Sequence, residues 1–344
     1  MTHRPRFKVK TVDKPPYVID PSKLQRFNSK NTIFGRIRWD PSWDGFWKKH
    51  ITEKRGTGRD AKTEYSPIDF ALAHASRAVQ RVLRRGYRRN RLEPFSRDVP
   101  RNRLGLAEEN WHAKRIKVDD LHEMSQRLKY AARLFGASLV GVTKLNKNWV
   151  YADAYVPDNL ENVIVMAIEM DADAIATSPS PLASAATGVG YSKMDFVLTC
   201  MGQFIRNLGY EAMPCGNDTA LSIPLAIDAG LGELGRNGLL ITPEFGPRVR
   251  LCKVFTDLPL ETDKPIEFGI REFCEKCKLC AEACEVGAIS TSEKPSYEIA
   301  CRSNNPGALK WYVNVEKCFM FWRKNGTSCS TCIKVCPFNR SGLE

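Results

Sequence analysis

The hydrophobic pattern of this 344-residue chain changes character near residue 119. Before that point apolar residues are scattered among Arg, Pro, Trp and polar positions, and only "SPIDFALAHASRAVQRVLRR" (66–85) keeps a helical rhythm. Beyond it the pattern sharpens. Met124, Leu128, Ala131 and Phe135 recur at helical spacing, and the helix they predict gives way to a strand at "ASLVGV". "NVIVMAIEM" (162–170) is a continuous apolar run with the length of a buried strand. Within "GYSKMDFVLTCMGQFIRNLGY", Met194, Leu198, Met201 and Ile205 fall on one helical stripe. "NGLLIT" reads as another strand, followed by the rigid turn "PEFGPRVR" and the strand "LCKVFTDL". Helices alternating with strands predict a layered α/β or α+β domain. Three regions follow: a basic, largely irregular wrapping segment over 1–118, a core over 119–265 and a cysteine-rich domain over 266–344.

Charge sharpens that division. Residues 1–118 hold 29 Lys and Arg against 12 Asp and Glu, and the remainder holds 23 against 27. The excess is densest in "RVLRRGYRRNRLEPFSRDVPRNR" (81–103). Such a surface attracts nucleic acid, anionic membrane or an acidic partner. No nucleic-acid-binding motif accompanies it, so a solvated basic face is the expected reading and no specific nucleic acid is expected. No apolar run approaches the roughly 18 residues that span a bilayer. The N-terminal stretch "MTHRPRFKVKTVDKPP" lacks the apolar core of a signal peptide. A chain without a leader is expected in the cytoplasm, or in the periplasm and at the membrane if an export signal has been removed. "GLGELGRNG" (230–238) is glycine-rich but matches neither nucleotide-binding fingerprint, so a nicotinamide or nucleotide cofactor is not indicated.

The cysteines carry the strongest chemical signal. Of twelve, eight lie within 63 residues. Cys274, Cys277, Cys280 and Cys284 are spaced C-x2-C-x2-C-x3-C, and Cys318, Cys329, Cys332 and Cys336 follow, the last before Pro337. Two-residue gaps suit thiolates converging on one centre better than disulfides. Zinc knuckles use paired cysteines, and a third in step fits them poorly. The run matches the bacterial ferredoxin pattern, in which the fourth cysteine reaches the other [4Fe–4S] cluster. Crossed ligation is therefore expected, with Cys274, Cys277, Cys280 and Cys336 on one cluster and Cys284, Cys318, Cys329 and Cys332 on the other. Glu285 stands where a proline normally follows the first run, and the gap from Cys318 to Cys329 is longer than a simple ferredoxin spacing. Cys200, Cys215, Cys252 and Cys301 are isolated and read as structural.

"GLGELGRNGLLITPEFGPRVRLCKVFTDLPLE" followed by two ferredoxin-type runs resembles the cobalamin-dependent reductive dehalogenases. The likeness covers about 120–340 and is closest over 187–340; the first third fits loosely. It implies an α+β fold, with a nitroreductase-like corrinoid-binding core and a C-terminal bacterial-ferredoxin-like domain holding two [4Fe–4S] clusters. It implies replacement of halogen by hydrogen on a small organohalide, by Co(I) cobalamin fed through the clusters from an external low-potential donor. A membrane-anchor partner and a homodimer are further arrangements it suggests.

The resemblance also assigns site residues. Tyr191 in "TGVGYSKM" would donate a proton, Arg250 in "GPRVRLC" would stabilise the phenolate left behind, and Asn217 in "PCGNDTAL" would orient the donor, the substrate or the departing halide. Thr187 matches a pocket-lining position, and Phe321 and Trp322 are candidates for an apolar substrate channel. Each has an ordinary alternative. Tyr191 begins the Met194/Leu198 stripe and suits a core tyrosine. Arg250 suits a structural ion pair and Asn217 a turn. Phe321, Trp322 and neighbouring Phe319 equally suit shielding a cluster from water. A lower-ligand histidine would sit in D-x-H-x-x-G; the nearest match, Asp120–Ser125, lacks the glycine, so His122 reads as a surface residue and base-off cobalt without a histidine ligand is expected. Two other functions stay open: an epoxyqueuosine reductase-like tRNA-modifying enzyme, and a plain iron–sulfur electron carrier.

Overall fold

The computed structural model describes residues 7–47, 65–83 and 115–339. Most of the basic run at 81–103 lies outside these residues, as does the end of the helix expected to 85. We label the main elements α1 (Pro67–Ala75), α2 (Leu121–Leu134), β1 (Leu139–Lys144), β2 (Asn162–Glu169), α3 (Pro181–Asn207), β3 (Ala212–Cys215), α4 (Ser222–Asp228), β4 (Val249–Thr256), α5 (Ile270–Lys276), α6 (Leu279–Glu282), α7 (Val315–Asn325) and α8 (Thr331–Lys334).

The central sheet runs β1-β2-β4-β3, and every pairing is antiparallel, which selects α+β from the two expected classes. Both faces are covered. On one, Val140, Val142, Ile164, Met166, Ile168, Cys252 and Val254 pack with the apolar stripes of α2 and α3. On the other, Val163, Val165, Ala167, Leu251 and Phe255 pack with α4 and with Trp149 and Leu160. Double coverage explains why β2 is apolar at successive positions although antiparallel strands usually alternate.

Helix α3 starts ten residues before the apolar stripe suggests. Ser180 caps it by accepting the Ala183 N–H, and Pro181 occupies the first turn. The small residues that follow, "LASAATGVG", carry no large apolar periodicity but let neighbours approach closely. A Cβ on Gly188 would meet Ser76 Oγ at 1.9 Å, and one on Gly190 would meet Arg250 Cγ at 3.0 Å. The helix expected over 66–85 is interrupted at Ser76–Arg77 and resumes at 78–83. Ser76 Oγ bonds back to Ala73 O, and the Ser76 carbonyl accepts from Ser192 Oγ at 2.7 Å, while Gln80 N–H donates to the same Oγ at 3.2 Å. The local hydrogen bonds are spent on α3 instead of on helix continuity.

"NGLLIT" forms only a two-residue strand, Leu240–Ile241, paired with Glu233–Leu234. The glycine-rich stretch is thus a tight hairpin. Between its strands, Arg236 is 1% exposed and donates to the carbonyls of Cys274, Cys277, Ser290 and Ser292, with its guanidinium 4.4 Å from the Trp311 ring centroid. In the N-terminal third, Arg36 pairs with Asp40 and Glu316 and ties that segment to α7, where Ile33, Trp43 and Phe319 make a small core. No helix among the described residues is long and apolar enough to cross a membrane.

Gly188→Ala should overpack the α1–α3 contact and cost roughly 1–3 kcal/mol. The expected outcome is a lowered denaturation midpoint and faster proteolysis within 65–83 than in the wild type. An unchanged midpoint with unchanged cleavage would show that this contact carries no stability.

Candidate functional site

A cavity of about 360 Å³ lies between the second face of the sheet, α4, the N-terminal segment and the loop before α7. Its walls are mostly apolar, including Ile19, Leu24, Trp149, Ile223, Leu240 and Leu251. The N-terminal wall is pinned by Tyr17, whose hydroxyl donates to Asp228 at 2.7 Å; Trp149 Nε1 donates to the other carboxylate oxygen at 3.0 Å. Burial pushes the Asp228 carboxyl above its usual range, and burial together with the Asp228 charge pushes the Tyr17 phenol up.

Asn217 and Arg250 both line this cavity. Asn217 sits in the turn after β3, and its Nδ2 donates to Tyr191 Oη at 2.7 Å. Arg250 shares its sheet face with Cys252 and Val254, towards α3, and its guanidinium lies 5.4 Å from the Tyr191 ring centroid. Its Nε points at Met170 Sδ, 3.2 Å away. The three residues singled out from the sequence therefore converge from a helix, a turn and a strand end. Thr187 is buried one turn before Tyr191, its hydroxyl against Met170 Sδ, and is not among the residues lining the cavity. Phe321 and Trp322 do not line it either. Trp322 packs beside Phe34 and the Ile33–Trp43–Phe319 core.

The turn bearing Asn217 is backed by an unusual support. Thr219 adopts φ +69°, a left-handed conformation costly for a β-branched residue. Lys253, fully buried on β4, donates to Gly216 O and Ala220 O at 2.8 Å each and to Ser222 Oγ at 3.0 Å. These bonds bracket the strained residue and fix the turn.

Sequence reasoning missed Arg77. Its guanidinium lies 5.2 Å from the Tyr191 ring centroid, so two arginines attend one phenol. Burial, and then the positive charges of Arg250 and Arg81, depress its proton affinity, while Tyr191 acts in the opposite direction. Arg77 falls at the break in the expected helix, in a segment whose course along α3 no local pattern announces.

The cysteines form two neighbourhoods. The Cys336 thiol feels Cys274, Cys280 and Cys277, although at least 56 residues separate it from each of them in sequence. Cys318 feels Cys329 and Cys284, and Cys332 feels Cys318, Cys329, Cys280 and Cys284. Burial pushes Cys274 up to about 11 and Cys280, Cys318 and Cys336 to about 12, and drives Cys332 well above its usual value. Loading metal on such thiols must release protons. Among the described residues no three His, Cys, Asp or Glu side chains close around a single ion. The indole N–H of Trp322 is buried against Cys318, and the hydroxyl of Ser328, next to Cys329 in the chain, is buried with no partner among the described residues. Two groups of buried thiols gathered from distant parts of the sequence fit iron–sulfur clusters. Of the remaining cysteines, Cys215 and Cys252 are buried in the core and Cys200 and Cys301 are half-buried. His122 is exposed, its Nδ1 2.5 Å from a Glu261 carboxylate oxygen.

Residues 140–260 match the family model described as reductive dehalogenase subunit, and residues 273–340 match that of the 4Fe-4S dicluster domain. A tetrachloroethene reductive dehalogenase of Desulfitobacterium hafniense is 42% identical over 272 residues, covering 65% of this chain and 49% of that protein. An epoxyqueuosine reductase of Listeria monocytogenes is a more distant relative, 32% identical over 124 residues, or 34% of this chain and 29% of that one. A solved structure described as "Reductive dehalogenase structure suggests a mechanism for B12-dependent dehalogenation" superposes with a TM-score of 0.74 and 22% identity, over 97% of this chain and 44% of that chain. That likeness establishes a shared fold. The chain spans about half the length of the curated relatives it matches.

Arg236→Ala should strip the donor from four carbonyls around the first cysteine run and cost about 3 kcal/mol or more. Chemical denaturation should show the lower midpoint, and anaerobic reconstitution should give less iron per chain. Wild-type values for both would refute this role for Arg236.

Proposed function

We propose that this chain, a relative of the tetrachloroethene reductive dehalogenases, is the corrinoid- and cluster-bearing part of a reductive dehalogenase. In this reading residues 119–265 form a nitroreductase-like core around the cavity, 266–344 form the two-cluster domain, and 1–118 wrap both. The observation that carries it is Tyr191, held by cavity-lining Asn217 and attended by cavity-lining Arg250, on a helix whose Ala186 packs in one cluster with Ile333 and Cys332. The cavity fits a large, mostly apolar ligand with polar edges: its walls are chiefly hydrocarbon, and Asn305 presents a buried amide oxygen with no partner.

A corrinoid bound there would supply a low-valent cobalt able to deliver electrons to a carbon–halogen bond. Two [4Fe–4S] clusters, on Cys274, Cys277, Cys280 and Cys336 and on Cys284, Cys318, Cys329 and Cys332, would bring those electrons from an external low-potential donor. The chain's own residues then manage the proton and the charge. Asn217 donates to the phenolic oxygen, which leaves the phenol's own proton available to the substrate carbon. The O–H bond of Tyr191 would break as its proton and the two electrons delivered to the carbon form a C–H bond, and the halide would leave with the pair of the carbon–halogen bond. The phenolate that remains sits beside the guanidinium groups of Arg250 and Arg77, which offset its charge in a site partly shielded from water. Thr187 and Met170 pack behind the donor helix. The substrate class is a small organohalide, and the reading includes a membrane-anchor partner and a homodimeric arrangement.

The epoxyqueuosine reductase relation keeps a second reading alive, since the basic N-terminal third suits phosphate contact. Salt-sensitive, specific retention of tRNA would favour it.

Anaerobic reconstitution with cobalamin, iron and sulfide, followed by halide release from a panel of organohalides, tests the proposal. Tyr191→Phe should lower turnover by about 10²-fold or more with corrinoid and iron content unchanged. Arg77→Gln should lower kcat with little effect on KM, and Arg77→Lys should recover part of the loss. Undiminished halide release by Tyr191→Phe would remove the tyrosine from the mechanism, and no halide release by the loaded wild type would remove the activity.

A further inference from the structure

Among the described residues no acidic side chain lines the cavity beside α4, and its charged lining groups are Arg250 and Lys310. Arg250 is engaged with Met170 and Tyr191. Lys310 is not. Among the described residues its ammonium meets no carboxylate and no hydrogen-bond acceptor, and its one recorded neighbour is the Tyr312 ring, 4.6 Å from Nζ to centroid. Burial drives its proton affinity down, to a pKa of about 8, with no countercharge to restore it. A ring face offsets only part of what it costs to take an ammonium out of water, and Lys310 is half-buried where it lines the cavity. An ammonium left so placed calls for an anion.

The lysine is also held in place. Its backbone N–H and C=O both pair with Ser296 at 3.1 Å, Leu309 N–H donates to Val18 O at 2.9 Å, and Asp20 N–H donates to Gly307 O at 2.8 Å. Five residues before it, the buried side-chain oxygen of Asn305, on the same cavity wall, has no donor. One wall therefore offers an unneutralised cation and an unpaired carbonyl oxygen, within an otherwise apolar enclosure.

We propose that Lys310 and Asn305 form the subsite for the phosphate-bearing tail of the corrinoid, with the ammonium meeting the phosphodiester and the Asn305 carbonyl oxygen accepting from a side-chain amide of the ligand. This rests on the reading of the cavity as a corrinoid site. The ligand chemistry fits: a complete cobalamin carries primary amides around its rim and a single phosphodiester in its nucleotide loop, whereas cobinamide keeps the macrocycle and lacks that phosphate.

The comparison of those two ligands tests the subsite without turnover. The full chain, reconstituted with iron and sulfide but free of corrinoid, is titrated with hydroxocobalamin and with dicyanocobinamide, binding being followed by quenching of tryptophan fluorescence. The wild type should prefer cobalamin, and added salt should erode that preference. Lys310→Gln should weaken cobalamin binding about tenfold, as expected for one lost charge-assisted contact, with cobinamide changed less than about twofold. Lys310→Arg should keep the preference for cobalamin, and Asn305→Asp, which sets a carboxylate beside the phosphate, should diminish it. Equal weakening of both ligands by Lys310→Gln, with the wild type binding both, would overturn the subsite and leave the corrinoid reading standing. Failure of the wild type to bind either would overturn both.

Discussion

Buried cations that spend their hydrogen bonds chiefly on backbone carbonyls hold this structure in register. Arg236, Arg248 and Lys253 are the largest fully buried side chains, and each joins segments far apart in sequence. Lys253 clamps the turn that carries Asn217. Arg236 clamps the first cysteine run and the loop after it. Arg248 reaches Glu169 and the Met170 carbonyl at the end of β2 and Asn339 three residues beyond Cys336. A guanidinium or ammonium taken out of water is expensive, and hydrogen bonds to its donors offset that cost. The same requirement makes each of these contacts directional, so the sheet, the site turn and the cysteine loops are set in one arrangement.

That arrangement explains why the phenol of Tyr191 can be at once on a core helix and within reach of the cavity-lining Asn217 and Arg250. Its helix is packed on both sides, by the sheet and by α1. Gly188 and Gly190 remove the side chains that would hold α1 and Arg250 away. The ring is thus reached by two guanidinium groups, Arg77 from the N-terminal segment and Arg250 from a strand end. Burial lowers the proton affinity of Arg77, and the like charge of Arg250 adds to that effect. In the proposed reaction, negative charge developing on the phenolic oxygen would meet both guanidinium groups.

The parts of this legible in the sequence were those governed by local spacing. The cysteine runs, the apolar stripe of α2 and the continuous run of β2 each declare themselves within a few residues. Tyr191, Asn217 and Arg250 were reached through family resemblance, because nothing in "GVGYSKM" or "CGNDTA" marks a proton donor or its holder. The start of α3 was hidden because alanine, serine and glycine leave no hydrophobic rhythm, although Ser180 and Pro181 together form a capping signal that would have found it. Arg77 and Lys310 were illegible for a different reason. Their significance lies in what surrounds them, a ring from α3 in one case and a cavity without acids in the other. Neither environment is encoded near the residue itself. Trp322 shows the converse: its apolar character suits a channel wall as well as a core, and its neighbours include Phe34 and the Ile33–Trp43–Phe319 core against α7.

The cavity itself belongs to no single segment. Tyr17, Ile19 and Leu24 come from the N-terminal region, Asn217 to Ile227 from the turn and α4, and Asn305 to Lys310 from the loop before α7. The first and last of these are stitched together by backbone bonds between Val18 and Leu309 and between Asp20 and Gly307. The first and second are joined through Tyr17 and Asp228, a carboxylate whose burial would be costly without the phenol and the Trp149 indole that satisfy it. Removing the N-terminal wall leaves the other two without these partners. A ligand that fills the space touches all three and binds only the assembled form, so its binding energy adds directly to the stability of the wrapped N-terminal segment. The described N-terminal stretch that carries Tyr17, Ile19 and Leu24 is then a structural participant in the cavity, bonded to both of the other walls.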